Sequence, residues 1–238
     1  MSTSPTRAFD EVNRFLGWGD PLGGLWFVGI EEATSWEKGT TENQVIAEIG
    51  GREFSEGDED PSKAWQNVDK RTEGAPVREK TSKIVAPLSR SYASTDWRAY
   101  RDEKLWTPGS QVCQVNLWPL GKPKTVDWPN WYAELFGFSR GQNKEYKRYV
   151  QEIRHPALRQ RWSGSGAQAV VCFGFSEWPA FRSAFQLSGE GREIVKDKVQ
   201  WYPNERVVLC AFLGNGQMSD DHLARVTETL RKAGVSIS

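Results

Sequence analysis

The sequence has little of what metal or disulfide sites require. Its 238 residues include three cysteines and two histidines. Cys113, Cys172 and Cys210 each lie in an apolar run and none belongs to a CxxC pair, so we interpret them as small core residues. His155 and His222 lie in charged, helix-like segments and form no ligand cluster. We therefore expect no bound metal, no iron–sulfur cluster and no cofactor.

A long apolar run and a net charge are lacking too. No segment approaches the roughly 20 apolar residues of a membrane span, and the first residues, MSTSPTRAFDEVNRF, lack the apolar region of a signal peptide. These absences predict a cytoplasmic protein with no membrane partner. Basic and acidic residues balance at 31 each, so the net charge does not indicate nucleic-acid binding, although it allows a local basic surface.

Two common catalytic motifs are absent or lie outside the position that their chemistry requires. No GxxxxGK[ST] segment occurs, which argues against a P-loop nucleotide site. No GxSxG elbow follows a predicted strand: the match GFSRG at 137–141 lies just before the predicted helix over 141–162, and the similar stretch WSGSGAQ precedes a predicted strand. That order argues against a serine hydrolase.

Tryptophan, in contrast, is abundant, with twelve residues. Most tryptophans in globular proteins pack in or near the core, but several of these lie in polar segments such as TSWEKG, around Trp36, and VDWPNWY. A flat aromatic face in a loop can stack against a ligand. We therefore consider some of the loop tryptophans candidate ligand-stacking residues.

Four apolar segments separated by helix-like segments predict an α/β fold. Continuous apolar runs are typical of strands covered on both faces, and their alternation with helices predicts a parallel sheet. We expect a single domain over 1–238, a three-layer α/β/α sandwich with a central, mostly parallel four-stranded sheet. The predicted strands span 25–30, 110–120, 167–174 and 206–214.

The segments between these strands are predicted to be mainly helical. Residues 37–80 are polar and weakly patterned, which indicates an insertion or a long loop. Pro156 is expected to break or bend the longest helix, and Ser219 to cap the last one. The predicted helices span 4–17, 78–90, 141–162, 176–185 and 219–233, and a hairpin is expected over 192–203.

The ends of the predicted strands carry residues suited to chemistry. Glu31 and Glu32 follow the first strand, and Asn116 ends the second. A glycine-rich loop around Asn215 follows the fourth. Because the carboxyl ends of parallel strands meet in one crevice, we expect these side chains to lie close together, with Phe175 from the third strand near the same rim.

In their order along the chain, these strand ends resemble the motifs of the uracil-DNA glycosylase superfamily. The first ends on GIEEA, where that superfamily has a glycine, an acid or amide, and a proline. The second ends on VNLWPL, an asparagine before a proline-containing turn. The last loop, GNGQMS, stands where the superfamily has a His-Pro-Ser or Asn-Pro-Ser segment. Glu32 in place of the proline, and the missing leaving-group histidine, are departures from that pattern.

The resemblance implies a role for each of these residues. Glu31 would orient water or stabilise the sugar cation, and Asn215 would stabilise the departing base, which makes both catalytic. Asn116 would read the polar edge of the flipped base, because an amide offers both a donor and an acceptor. The expected base-binding residues are Asn116, Glu32, Trp36, Trp118 and Gln217.

The resemblance also implies DNA, double- or single-stranded, as the partner of a monomeric protein. Residues 140–161 contain seven lysines and arginines against two acids, interleaved with Tyr146 and Tyr149. Such a run is typical of a phosphate-binding face and also of a solvated helix face. The expected DNA-binding residues are Arg140, Lys144, Lys147, Arg148 and Ser219.

The implied reaction is base excision by a monofunctional DNA glycosylase, which leaves an abasic site. No lysine lies at the predicted strand ends, so no Schiff-base cleavage of the strand is expected. Ile30 and the segment EEATSW stand where uracil-specific relatives carry a polar residue and an aromatic residue that blocks larger pyrimidines. We therefore expect a modified pyrimidine, such as the glucosylated hydroxymethylcytosine of some phage DNAs, and a role in phage defence.

Other interpretations of the same residues stay open. Glu31 is compatible with a turn cap, Asn116 with a turn before Trp-Pro, and the glycines of the last loop with a tight strand-to-helix turn. Two other functions are compatible with the sequence. A non-catalytic DNA- or nucleotide-binding relative would bind DNA without excising a base. An unrelated α/β hydrolase or transferase would bind a free nucleotide or sugar and show no salt-dependent affinity for DNA.

Overall fold

The fold comes from a computed structural model of the chain, which describes residues 5–31, 36–55, 76–92, 95–107, 109–122, 127–214 and 216–238. Over those ranges the chain is a mixed α/β protein with a single sheet. The strands are β1 (Gly17–Gly19), β2 (Leu25–Gly29), β3 (Phe54–Ser55), β4 (Val112–Asn116), β5 (Ala169–Phe173), β6 (Arg192–Val195), β7 (Val199–Tyr202) and β8 (Val207–Cys210).

Eight α-helices lie in the described ranges, together with short 3-10 turns such as Phe175–Glu177. They connect or flank the strands, as the alternating sequence pattern predicts. The helices are α1 (Arg7–Arg14), α2 (Glu42–Ile49), α3 (Pro76–Val85), α4 (Trp97–Glu103), α5 (Tyr132–Phe136), α6 (Asn143–Ser165), α7 (Trp178–Ala184) and α8 (Asp220–Lys232).

The described sheet has eight strands in the order β3-β1-β4-β2-β5-β8-β7-β6. Its centre, β4-β2-β5-β8, is parallel and coincides with the four apolar segments predicted to be strands. Strands β1 and β7 are antiparallel to their inner neighbours. The expected count of four was therefore wrong for the whole sheet. The sequence missed β1 and β3 because strands of two or three residues are too short to show a hydrophobic period.

The order of the central strands creates a topological switch point. Along the chain, the first parallel strand is β2, the second, β4, lies on one side of it, and the third, β5, lies on the other. The connection from β2 leads to β4 in one direction across the sheet, and the connection from the adjacent β5 leads to β8 in the other direction. In open α/β sheets, such a point opens a crevice at the carboxyl ends of the strands, where ligands bind.

Both faces of the central strands are buried, which explains why these strands are continuously apolar. Trp26 and Val28 belong to the core on the face covered by α1, α2, α5, α6 and α7. Leu25 and Phe27 belong to the core on the opposite face, covered by α3, α4 and α8. Among the described helices, none combines the length and apolar character that crossing a membrane requires.

The segment 37–80, predicted as a polar insertion or a long loop, contains the helix α2 and the strand β3. The Thr41 hydroxyl accepts a hydrogen bond from the Gln44 backbone N–H at 3.3 Å, and the Gln44 side chain accepts one from the Thr41 N–H at 2.8 Å. This capping box starts a helix that buries Val45 and Ile49. The pattern Thr-x-x-Gln before apolar residues was a usable signal. Residues 56–75 lie outside the described ranges.

The helix α6 runs through Pro156 without interruption, so the break that was predicted as one of two alternatives, a break or a bend, is wrong. A proline inside a helix leaves one carbonyl without its N–H partner. Here the proline is exposed, so water can hydrate that carbonyl. Buried side chains such as Val150 and Leu158 hold both halves of the helix against the core.

Candidate active site at the ends of the central strands

The segments that follow β2 and β4 stay side by side beyond the ends of their strands. The Leu117 N–H donates to the Gly29 carbonyl at 2.9 Å, and the Trp118 N–H donates to the Ile30 carbonyl at 2.8 Å. Glu31 is therefore held beside the Asn-Leu-Trp-Pro-Leu turn, at the crevice that the switch point creates. The sequence predicted this proximity of the first two strand ends, and the structure shows it.

Glu31 forms a buried ion pair with Lys122. The Lys122 Nζ lies 2.9 Å from Glu31 Oε2, and the two side chains are 5% and 7% exposed. The ammonium also lies 5.4 Å from the centre of the Trp128 ring. Removing either partner of such a pair leaves a buried charge without compensation, which is strongly unfavourable. The pair is therefore a fixed part of the site.

Burial raises the pKa of Glu31 to about 7. The main cause is the loss of hydration, which disfavours the carboxylate; the nearby charge of Lys122 opposes the shift and that of Glu177 adds to it. A carboxyl group with a pKa near neutrality can exchange a proton readily at physiological pH. That property is common among catalytic acids and bases.

Glu177, at the end of the 3-10 turn after β5, supplies a second carboxylate. Its Oε2 accepts a hydrogen bond from Trp118 Nε1 at 3.1 Å, and its Oε1 accepts one from Lys147 Nζ, also at 3.1 Å. Lys147 lies 4.8 Å from the centre of the Trp118 ring. We call the four residues Glu31, Lys122, Lys147 and Glu177 the acid–lysine cluster.

Asn116 lies beside Gly29, its register partner on β2. The asparagine is buried, and its Oδ1 lies 3.0 Å from the position that a Cβ atom on Gly29 would occupy. Within the described ranges, no hydrogen bond to the Asn116 side-chain amide is formed. Its donor and acceptor can therefore serve a bound ligand.

The buried Arg154 of α6 fixes the backbone around Asn116. Its guanidinium donates to the Asn116 carbonyl at 2.9 and 3.1 Å, to the Asn13 carbonyl at 2.6 Å and to the Phe15 carbonyl at 2.7 Å. A guanidinium offers five donors in a rigid plane, which suits a cluster of carbonyls. Arg154 thereby joins α6, the end of α1 and the end of β4.

The two tryptophans predicted to bind the base occupy different environments. Trp118 is only 2% exposed. Its ring contacts Tyr146 and His155, and its indole N–H donates to the Glu177 carboxylate. Trp36 is partly exposed. Its backbone N–H donates to the Tyr132 hydroxyl, which donates in turn to the Gly121 carbonyl beside Lys122. Trp36 thus lies closer to a rim position, whereas Trp118 is a core residue below the cluster.

The loop after β8 leads into α8, which is capped at Ser219 as predicted. Ser219 is the N-cap, and its hydroxyl accepts a hydrogen bond from the His222 N–H at 3.3 Å. Gln217 is exposed, and its side-chain oxygen accepts a hydrogen bond from the Phe212 N–H at 3.3 Å. Two further predicted site residues, Asn215 and Glu32, lie outside the described residues.

The residues of the basic segment 140–161 that were expected to bind DNA lie in two different environments. Arg140, Lys144 and Arg148 are exposed and remain candidates for contact with phosphates. Lys147 faces Glu177 and belongs to the acid–lysine cluster. Tyr146, expected among the basic residues on a binding face, is fully buried, and its hydroxyl accepts a hydrogen bond from the Leu120 N–H.

Sequence reasoning missed Lys122 and Glu177. The expectation that no lysine lies at the strand ends was wrong, because the turn after β4 brings Lys122 back to Glu31. Glu177 was detectable from the sequence in the same way as Glu31, because it also follows a central strand. It lies four residues after β5, in the segment FGFSEW. Lys122 gave a weaker signal, because it lies beyond the turn.

Other features of the described residues lie away from this crevice. The three cysteines are buried free thiols, and the described residues contain no group of three or more metal-ligating side chains. Cavities of about 570, 610 and 680 Å³ are lined by residues outside the acid–lysine cluster. Comparisons with protein-family models and with curated proteins found no match to the chain.

Proposed function

We propose that the protein is a DNA glycosylase that flips a modified pyrimidine out of DNA and hydrolyses its N-glycosidic bond. The observation that carries the proposal is the position of Glu31. This buried carboxyl group, with a pKa raised to about 7, lies at the switch point of the parallel centre of the sheet, two residues after Gly29, the register partner of the buried Asn116. The resemblance to the superfamily's motifs assigns Glu31 to the sugar and Asn116 to the base.

The proposed chemistry follows from the charge that develops during bond cleavage. Breaking the bond between C1′ and the base leaves positive charge on the deoxyribose and negative charge on the base. The Glu31 carboxylate would stabilise the sugar cation and orient water, as a carboxylate does in glycoside hydrolysis. Asn116 would hold the polar edge of the base, and backbone N–H groups of the loop after β8 would stabilise it as it leaves.

The fold supports this assignment in its general form. Helices cover both faces of the sheet, and the four central strands are parallel. This arrangement fits the three-layer sandwich expected for a divergent member of the uracil-DNA glycosylase superfamily. Asn215, proposed to act on the leaving base, would complete the site from the loop after β8.

The surface around the crevice suits DNA. Arg140, Lys144 and Arg148 are exposed on α6 and the turn before it, on the same helix as Lys147 of the cluster. Phe175, 54% exposed, lies two residues before Glu177. Basic residues attract phosphates, and an apolar side chain can insert between bases where a nucleotide is flipped out.

For the substrate, we propose a hypermodified pyrimidine such as glucosylated hydroxymethylcytosine, excised from phage DNA in the cytoplasm by a monomeric enzyme. Ile30 directly precedes Glu31, and the backbone N–H of the partly exposed Trp36 is linked through the Tyr132 hydroxyl to the Gly121 carbonyl beside Lys122. A uracil-specific site would be smaller and more polar at these positions. Flat aromatic faces beside acids and amides suit a sugar substituent. Glu32 and Gln217 are the proposed polar partners of that substituent.

A glycosylase assay tests the proposal. DNAs that contain cytosine, uracil, hydroxymethylcytosine or glucosylated hydroxymethylcytosine are incubated with the protein, and released bases and abasic sites are counted. Base release from one DNA and its loss in Glu31→Gln are expected, whereas Glu190→Gln, a change at an exposed acid, keeps full activity. If a folded protein releases no base from any of these DNAs, or if Glu31→Gln remains fully active, the proposal is wrong.

A further inference from the structure

Lys122 is the only buried lysine among the described residues, and the proposed chemistry gives it no role. Its Nζ lies 2.9 Å from Oε2 of Glu31, the carboxylate proposed to face the deoxyribose. Within the described ranges, Oε1 of Glu31 forms no hydrogen bond or ion pair. The ammonium therefore holds one oxygen of the carboxylate and leaves the other available to water or to the sugar.

The surroundings of Lys122 fix the position of its ammonium. The centre of the Trp128 ring lies 5.4 Å from Nζ, and attraction between a cation and an aromatic face is strongest where water is excluded. The Trp128 ring is itself held by a hydrogen bond of 2.9 Å from its N–H to the Phe138 carbonyl. On the backbone side, the Gly121 carbonyl accepts a hydrogen bond from the buried Tyr132 hydroxyl. Both ends of the lysine are thus anchored.

A carboxylate in this crevice requires a nearby cation to stay charged when DNA binds. Bound DNA would exclude water and bring phosphates toward Glu31, and both effects favour the protonated acid. The negative charge of Glu177 acts in the same direction, and the nearby Tyr146 hydroxyl stays neutral because burial raises its pKa. Lys122 is the main cation that opposes these effects, whereas Lys147 contributes less and pairs with Glu177.

We propose that Lys122 is a positioning residue, whose ammonium holds Glu31 in one orientation and keeps it a carboxylate in the water-excluded complex with DNA. This inference rests on the proposed glycosylase function and adds a residue to its mechanism. Lys122 forms no bond with the substrate. Glu31 stabilises the sugar cation and orients water, and the product remains an abasic site.

Three variants of Lys122 separate its charge from its packing. Lys122→Met removes the charge and the hydrogen-bond donor, Lys122→Gln keeps a donor without the charge, and Lys122→Arg keeps both. The pH profile of single-turnover base release is measured for each. The inflection is expected near pH 7 in the wild type and in Lys122→Arg. In the two uncharged variants it lies about 1–3 pH units higher, because an opposite charge at this distance has been removed.

The rates of the uncharged variants at pH 7 are therefore expected to fall about fivefold or more and to recover as the pH rises. Lys83→Met is the matched control, because it removes a lysine that pairs with Glu79 and Asp220 at α3. It leaves the profile unchanged. Lys122→Gln gives the result even if Lys122→Met does not fold, since its amide can still donate to Glu31.

The profiles separate this inference from the proposed function. Base release with the same inflection in the wild type and in both uncharged variants overturns the role of Lys122 and leaves the glycosylase proposal intact. A loss of rate that does not recover at high pH has the same meaning, because a purely structural residue would cause it.

If the wild type releases no base from any DNA, the glycosylase proposal is wrong, and infrared spectroscopy tests Lys122 by itself. The carboxylic acid band of Glu31 is identified by its loss in Glu31→Gln. This band should persist to higher pH in Lys122→Gln than in the wild type, because the uncharged side chain no longer favours the carboxylate. Identical titration of the band in the two proteins overturns the inference.

Discussion

The Oδ1 atom of Asn116 lies 3.0 Å from the position of a Cβ atom on Gly29, and a carbon of the Phe173 ring lies at the same distance from it. Three adjacent strands thus approach one another at a residue without a side chain. Glycine in a strand commonly marks such a close approach. Here the absence of a side chain on Gly29 leaves room for the Asn116 amide, which we propose reads the base. The amide therefore lies at the end of β2, beside the residue two positions before Glu31.

Replacement of Gly29 by alanine is expected to disturb both stability and activity. The added methyl group would displace Asn116 or Phe173, and such overpacking costs about 1–3 kcal/mol of unfolding free energy. Urea denaturation and base release measure the two effects. Gly164→Ala is the matched control, because a Cβ there has open space and lies in a helix, where alanine is favoured. Equal stability of the two variants would contradict the close approach at Gly29.

Arg154→Met is expected to destabilise the protein by about 3 kcal/mol or more, since it leaves several buried carbonyls without donors. Arg148→Met, at an exposed position of the same helix, changes the unfolding free energy by less than about 0.5 kcal/mol. Chemical denaturation of both variants measures the difference. A near-neutral Arg154→Met would show that water replaces the guanidinium at these carbonyls.

The rate of base release is expected to rise with pH and to level off above about 7, because the pKa of Glu31 is raised to about 7 and the carboxylate is the active form. The negative charge of Glu177 contributes to that shift, so Glu177→Gln moves the inflection to lower pH. A pH profile of single-turnover base release measures both. A profile that is flat between pH 5 and 9 would contradict a catalytic carboxyl at position 31.

Protein stability should also depend on pH through the buried His155. Burial lowers its pKa from 6.5 to about 4, and neither ring nitrogen has a hydrogen-bond partner in the described part of the chain. The folded state therefore resists protonation that the unfolded state accepts. The contribution of the neutral His155 to the unfolding free energy is fully present above pH 6.5. It is lost as the pH drops toward 4, by about 3 kcal/mol in total.

Glu31 acts in the opposite direction. Its raised pKa makes the folded state most favourable below about pH 4.5, and this contribution is lost as the pH rises through about 7. His155→Leu should therefore remove the loss of stability in acid, and Glu31→Gln should make it steeper. Thermal unfolding between pH 4.5 and 7 measures these slopes, with His222→Gln, at a partly exposed histidine, as the control. Identical slopes in the two variants would contradict both assignments.

DNA binding is expected to depend on the exposed basic residues of α6. Lys144→Ala and Arg148→Ala should each weaken binding to a duplex and reduce the slope of log affinity against log salt by about 1. Lys232→Ala is the control, because this exposed lysine ends α8 and lies at the opposite end of the sheet from the crevice. Fluorescence anisotropy at several salt concentrations measures the slopes. An unchanged slope would assign the basic run to a solvated helix face.

Local sequence signals determined the central strands and the longer helices of the fold, but not β1, β3 or α2. The central strands are buried on both faces, so their continuous apolar character identified them. The Ser219 cap and the first helix were also predicted, because a cap and a helical pattern involve residues within a few positions of one another. The Thr41 capping box is equally local, but it lies in a polar segment without a clear apolar pattern.

Only the tertiary structure decided the composition of the candidate site. Lys122 faces Glu31, and Arg154 donates to the Asn13 carbonyl 141 residues earlier in the chain. The burial of Trp118 likewise depends on α6, which no pattern around that tryptophan reveals. Such contacts depend on where turns return the chain and on which helix covers which face. Local propensity encodes each element, but the pKa of Glu31 and the partners of its charge follow from burial among distant segments.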